Sequence, residues 1–354
     1  MEQKHNDLRK LGKYRRFLYN NPRLRHLFFE LTDQCNLNCI HCGSRCTPTN
    51  TQFLPFLAVQ KTLEEVSSIY DSSEIMINLT GGEPLLHPLI IPIIQTAHKC
   101  GFPVGITTNG TLITEDVAYC LKAAGLDSIA VSIDGMSVSH NTLRRSTSAF
   151  QKAINGIQNL KRVGLEPQVI TVIHKNNLAE LEDLYEYLLN LGIYSWRVVN
   201  IEPIGRAFEH EDIILNREEL EKVLNFIRDK RAGNVSDMDV TYGCSHFVGF
   251  EKEKEVRDFY FQCGAGTQIA SIMVNGDIGA CLDIERNPKL AQGNIYRDSF
   301  VEVWECRFRT FRRDRSRNSH VCQACPFGEV CQGDSAHTWN FDTEQPNYCI
   351  HNLR

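Results

Sequence analysis

The chain is 354 residues long, 42% hydrophobic and 23% charged, with a formal net charge of −5. That composition belongs to a globular protein with material for one large domain and a smaller one. It excludes wholesale disorder, collagen-like repetition and coiled coil, and its charge balance asks for neither a nucleic acid nor a membrane surface as partner. The N-terminal stretch MEQKHNDLRKLGKYRRF is basic but lacks the apolar run of a signal peptide, and no later stretch approaches the roughly 18 apolar residues of a membrane helix. Cysteine is the outlier. Fourteen residues are more than packing needs and fewer than a disulfide scaffold carries. The thiols are therefore expected in a reducing cytoplasm, where spaced cysteines signal metal or redox chemistry more often than disulfides.

Residues 1–24 form an N-terminal extension in this reading. Leu27 to Leu31 then reads as a strand and Leu57 to Tyr70 as a helix. Ile75–Leu79, Val104–Thr108, Ile129–Ile133, Val169–Ile173 and Trp196–Ile201 follow as strands, separated by helical patterns such as Thr114–Ala124, Ala149–Val163 and Leu178–Leu191. Gly101, Gly125, Gly164 and Gly192 each stand where a left-handed residue closes a helix before the next strand. Six βα units in succession predict a parallel sheet over residues 25–235, either open and doubly wound or closed into a full or partial barrel. From Tyr242 onward glycine and cysteine rise, and helical periodicity survives only around Ser299 to Arg313. Residues 236–354 are thus expected to form a second, loop-rich domain whose small core needs staples.

Directly after the first strand, Cys35, Cys39 and Cys42 share a short loop. In a parallel barrel, such a loop opens on the face where active sites lie. Three thiolates so spaced suit three irons of a [4Fe–4S] cluster, leaving the fourth open to a chelating small molecule. Structural zinc is the bland alternative for the loop taken alone. The pattern resembles that of the radical S-adenosylmethionine (SAM) superfamily, and further motifs strengthen the likeness. Thr80-Gly81-Gly82-Glu83-Pro84 follows the second strand, Thr107-Thr108-Asn109-Gly110-Thr111 the third, and Ser132-Ile133-Asp134-Gly135 with His140 to Arg144 the fourth. The resemblance implies that Gly81, Gly82, Glu83 and Pro84 lie along the SAM amino group, Asn109 near the ribose, and Ser132 and Arg144 at the carboxylate. His41 takes the place of an aromatic residue near the adenine. It also implies the chemistry: an electron from the reduced cluster cleaves SAM, and a 5′-deoxyadenosyl radical takes hydrogen from the substrate. An electron donor such as flavodoxin or ferredoxin would supply that electron. Cys46 is read as a loop thiol without catalytic duty; as a fourth ligand it would close the cluster and leave only electron transfer. Cys100, Cys120 and Cys306 are read as packing residues, and the basic run Arg307–Arg317 as a solvated helix face.

The C-terminal cysteines resemble the SPASM extension, which carries auxiliary iron–sulfur clusters. The resemblance implies that Cys322, Cys325, Cys331 and Cys349 form one complete ligand set. Cys263 and Cys281 belong to a second set, with Cys244 as an upstream ligand, and a Gly276-Asp277 hairpin is expected to bring the first two together. This set is incomplete, because Ser335 stands where the family has a cysteine. One or two auxiliary clusters are therefore expected; a zinc ribbon is the alternative by spacing. The fold class that follows is α/β, a partial (β/α)6 TIM-like barrel followed by a small, loop-rich cluster-binding domain.

Similar proteins modify peptides and proteins by cross-linking, oxidation or epimerisation, and a peptide or protein is the expected substrate. The alternatives are a small metabolite such as a tetrapyrrole and a non-enzymatic electron-transfer protein. Asp277 and Asp283 are the candidates for an acid–base role, since Leu282 stands where sulfatase maturases carry their base. A leader peptide, if there is one, is expected to bind elsewhere on the chain or on a separate partner.

Overall fold

The computed structural model describes residues 2–233, 238–243 and 246–353. Helix α1 (Glu2–Asn20) leads into β1 (His26–Glu30). The expected alternation then follows: α2 (Phe56–Ile69), β2 (Met76–Thr80), α3 (Ile90–Lys99), β3 (Val104–Thr108), α4 (Glu115–Ala123) and β4 (Ser128–Ser132). It continues with α5 (Ser137–Leu143), α6 (Ala149–Arg162), β5 (Pro167–Ile173), α7 (Leu181–Asn190), β6 (Ser195–Asn200) and α8 (Arg217–Ala232). Local caps set several of the helix ends. Thr114 caps α4 by accepting from the Val117 amide, Asn216 and Glu219 form a reciprocal capping box on α8, and the four glycines that end helices all have positive φ.

Helix α6 shows how an apolar stripe seats a helix on the sheet. In α6 the buried residues Phe150, Ala153, Ile154, Ile157 and Leu160 recur at helical spacing, each large one adding about 1.5–3 kcal/mol by leaving water. In β5 the residues Pro167, Val169, Thr171 and Ile173 are fully buried, whereas those between them are only partly covered. Val172, on the partly covered face, lines the cavity described below.

β1 to β6 are parallel and neighbour one another in chain order. The sheet also extends beyond them at both edges. β7 (Asp239–Tyr242) pairs in parallel with β6, with Ser195 opposite Asp239. After the short α9 (Glu253–Val256), β8 (Ile269–Ile272) pairs in parallel with β1, with His26 opposite Ile269 and Phe29 opposite Ile272. β9 (Asp277–Gly279) and β10 (Gly293–Asn294) then turn back antiparallel. Residues on both sides of the boundary expected at 235 therefore share one ten-stranded sheet. The partial barrel is as the sequence implied; β7 and β8 escaped it because four residues carry too little period to be recognised.

The helical pattern around Ser299–Arg313 is only half realised. α10 (Phe300–Cys306) stops at Cys306, and the chain turns inward to bury Phe308 and Phe311. The basic run after it is not simply a solvated face. Arg312 stacks 4.8 Å from the Trp304 ring, and Arg315, 4% exposed, donates to the Asp334 carbonyl at 2.5 Å. These arginines tie loops to one another, a role that no periodicity announces. α1 is likewise docked: Arg15 donates to the Cys331 carbonyl at 2.9 Å, and Tyr19 to Gln332 Oε1 at 2.6 Å.

Candidate active site and cluster sites

The loop after β1 gathers Cys35, Cys39 and Cys46 in one buried cluster, with Cys42 packed against it. Its course is set by backbone pairing, since Cys35 N donates to Thr47 O at 3.1 Å and Ile40 N to Leu143 O at 2.8 Å. The loop after β2 crosses it closely: Gly82 N donates to Thr32 O at 2.7 Å and Glu83 N to Gln34 O at 2.9 Å. A Cβ on Gly82 would stand 2.1 Å from Gln34 O, and one on Gly81 2.4 Å from Thr32 O. Only glycine permits that approach.

Glu83 is wholly buried. It accepts from Thr108 Oγ1 at 2.7 Å, Asn109 N at 2.8 Å and Leu85 N at 3.2 Å, so its carboxylate braces the loop after β3. Burial pushes its pKa up, against the pull of those donors. Pro84 opens the turn that follows. Asn109 reaches the cysteine loop, donating to Asn36 Oδ1 at 2.8 Å with its Nδ2 3.9 Å from Cys35 Sγ. At the end of β4, Ser132 is half-buried.

Two residues further on, Asp134, to which the motif assigns no role, anchors a charged centre with Arg144 and His41. Asp134, fully buried, receives Nε and Nη2 of Arg144 at 2.8 and 2.7 Å. Its Oδ1 takes the Val172 amide at 2.9 Å, and His41 Nε2 stands 3.9 Å away. Burial alone would raise the pKa of Asp134, but Arg144, His41 and His140 together hold it well below the carboxylate range. Burial lowers His41 to about 4 despite Asp134, so His41 is neutral.

The donor set fits an iron–sulfur cluster with an added ligand. Burial pushes Cys35 up to about 12 and Cys39 to about 11, a cost that a bound cation removes. Cys42 is held near 6, chiefly by the Cys46 thiol and with help from Arg206. In the same loop Asn38 Oδ1 and His41 Nδ1 are buried without a protein partner. Among the described residues no three such side chains stand at metal-bonding geometry; the loop gathers the thiols.

Beside this centre opens a cavity of about 700 Å³, including its mouth. His41 and Gly43 form one wall, Val172, Val199, Asn200, Ile201, Glu202 and Ile204 a second, and Asp283 and His337 from the C-terminal part the third. Asp277, in contrast, lines a separate cavity, and its carboxylate accepts from Asn275 and Asn294 at 2.7 and 2.9 Å. Glu202, His337 and Arg206 belong to the site and were not legible beforehand; a buried carboxylate after a strand carries no motif.

Cys322, Cys325, Cys331 and Cys349 line one small cleft together with Asp334 and His351. Cys322 and Cys331 sit on the single-turn helices α11 (His320–Gln323) and α12 (Gly328–Cys331). The expected hairpin forms at Gly276, with φ +85°. Cys281 Sγ stands 3.9 Å from Asp283 Oδ2, and Cys263 Sγ accepts from the Ala336 amide at 3.3 Å. Cys244 lies outside the described residues.

The structure thus combines a parallel barrel, three thiols in the loop after its first strand with a motif loop crossing them, and a separate cleft lined by four more cysteines. The radical SAM superfamily matches residues 29–188, and an iron–sulfur cluster-binding domain, SPASM, matches residues 263–326. The AdoMet-dependent heme synthase of Methanosarcina barkeri is 30% identical over 94% of this chain and 97% of its own. The mycofactocin maturase MftC of Mycolicibacterium smegmatis is 26% identical over 90% or less of either, 87% here and 76% there. The fold is that of Streptococcus suis SuiB bound to S-adenosylmethionine, with a TM-score of 0.72 at 16% identity over 94% of this chain and 79% of that one. This chain belongs to the radical SAM superfamily and carries a SPASM domain, so its cofactors are SAM and iron–sulfur clusters. Among the described residues no helix is long and apolar enough to cross a membrane.

Proposed function

We propose that the chain is a cytoplasmic radical SAM oxidoreductase that takes hydrogen from a peptide or protein, with Cys35, Cys39 and Cys42 holding the SAM-site cluster. When bound, that cluster supplies the electron that splits SAM into methionine and a 5′-deoxyadenosyl radical. The chain's own residues hold and shield. Arg144, fixed by Asp134, presents its remaining donors to a carboxylate; neutral His41 offers a flat, uncharged face; and the wall from Asn200 to Ile204 keeps water from the reacting atoms.

The substrate class rests on the cavity's charge. Glu202 and Asp283 line it beside His337, which is paired to Glu202 at 2.6 Å, and no lysine or arginine is among the described lining residues. With Glu202 balanced by the imidazoles paired to it, Asp283 is the unbalanced charge on this wall, which suits a neutral or singly basic peptide segment better than a polycarboxylate. A second reading, a small tetrapyrrole-type metabolite, is favoured by the full-length likeness to a heme synthase. An electron donor of the flavodoxin or ferredoxin kind completes either reaction.

The deciding experiment is anaerobic incubation with SAM and reductant, followed by assay of 5′-deoxyadenosine and tandem mass spectrometry of peptides encoded beside the gene. A peptide mass change absent with Cys39→Ala supports the proposal. Turnover with an iron porphyrin carboxylate, and with no peptide, supports the second reading. No deoxyadenosine at all defeats both.

A further inference from the structure

One side chain far along the sequence grips the cysteine loop. Arg206 lies in a 3-10 turn after β6 (Gly205–Glu209), 167 residues beyond Cys39. Its Nε donates to the Cys39 carbonyl at 2.7 Å, and Nη1 and Nη2 both donate to the Cys46 carbonyl at 3.1 Å. Its backbone amide donates to Cys42 O at 3.1 Å. The carbonyls of three cysteines are thus oriented by one residue that is 9% exposed.

The approach is tight in both directions. A Cβ on Gly205, whose φ is +55°, would stand 2.3 Å from Cys42 O and 2.4 Å from Gly43 O. From the other side, Arg45 Nη2 donates to Gly205 O at 2.8 Å. Among the described residues, the hydrogen bonds of the Arg206 side chain go to the backbone carbonyls of Cys39 and Cys46. Its charge therefore lies against the thiol-bearing backbone in a poorly solvated place, where a fixed cation acts most strongly. The rigid fork of a guanidinium can hold two carbonyls at once; an ammonium cannot do so in the same geometry.

We propose that Arg206 is a positioning residue for the SAM-site cluster. It fixes the loop in the shape that presents Cys39 and Cys42, and its buried charge favours the thiolate set and the added electron. The inference rests on those cysteines being cluster ligands, and it is independent of the substrate.

The test uses the full chain, reconstituted anaerobically, as wild type, Arg206→Gln, Arg206→Lys and the triple variant Cys35→Ala/Cys39→Ala/Cys42→Ala. Iron per chain is measured with the electron paramagnetic resonance (EPR) spectrum of the reduced protein, with and without SAM, and the potential at which that signal develops. Arg206→Gln is expected to keep its auxiliary iron, to lose part or all of the iron that the triple variant loses, and to reduce at a more negative potential. Arg206→Lys is expected to recover the potential but not the spectral shape, with KM for SAM raised several-fold. Wild-type iron, spectrum and potential in Arg206→Gln overturn the proposal. If Arg206→Gln lacks auxiliary iron and so has not folded, Arg206→Lys decides, and a wild-type spectrum and KM there overturn it. A triple variant that retains the SAM-dependent signal instead removes the ligand assignment, and this proposal with it.

Discussion

Glu202, just beyond β6, is paired at 2.6 Å to Nε2 of His337, a residue of the C-terminal part. Its other oxygen stands 3.0 Å from Nε2 of His246, whose Nδ1 is 2.5 Å from Asp334. Two carboxylates and two imidazoles therefore join the barrel mouth to the turn beside the auxiliary cysteines. Burial alone would lower both histidines, but their acidic partners prevail and raise His337 to about 9 and His246 to about 10. A raised folded-state pKa adds stability that is fully present below the unfolded value of 6.5 and is lost as pH rises through the folded one. The thermal midpoint is expected to fall between about pH 6.5 and 10 for this reason. His337→Ala should cost about 3 kcal/mol at neutral pH, because it removes one partner from a buried charge, and should flatten that fall. Melting curves across the range check both; an alkaline slope unchanged in the variant would sink the assignment.

Arg144 is held by Asp134 through two bonds to one oxygen, which leaves donors free for a ligand carboxylate. Losing one charged hydrogen bond is worth roughly 1.5–3 kcal/mol. Arg144→Lys should therefore raise KM for SAM about 10- to 100-fold while iron content stays at the wild-type level. Asp134→Asn should also lower the melting temperature, since it strands the arginine. Isothermal titration with SAM and iron analysis separate the two effects, and unaltered SAM affinity in Arg144→Lys would contradict the role.

Gly82→Ala is a sharper probe than its size suggests. The added methyl would stand 2.1 Å from Gln34 O, a backbone atom that cannot move without moving Cys35. Loss of SAM cleavage by at least tenfold, with the auxiliary iron retained, is expected. An active variant would mean that the two loops are not rigidly apposed.

The two aspartates proposed from the sequence separate in space. Asp283 lines the cavity with His41 and His337, whereas Asp277 braces the β9–β10 pairing through Asn275 and Asn294. Asp283→Asn should reduce substrate turnover without affecting the melting temperature. Asp277→Asn should cost about 1 kcal/mol of stability and leave turnover intact. The reverse pattern in paired activity and melting assays would reassign the base.

Much of the site was legible because its constraints are local. Cys35, Cys39 and Cys42 lie within one loop, Gly81 and Gly82 have no side chain to clash, and each motif sits where a strand of period two hands over to a helix. Less legible were elements shorter than a period, β7 and β8, and residues that act on backbone carbonyls. Arg206 looks like any surface arginine until Cys39 and Cys46 are seen beneath it. The basic run Arg307–Arg317 looked solvated for the same reason: charge in a sequence does not reveal the ring or the carbonyl that will cover it.

The class of chemistry was written in short segments, because ligand spacing, glycine positions and the βα period are local properties. Which carboxylate faces the cavity, the meeting of Glu202 with His337 and the pairing of β8 with β1 came only with the folded chain. Those are contacts between residues far apart in the chain. Their energies depend on burial and on approach to a few tenths of an ångström, and neither exists until the sheet has assembled.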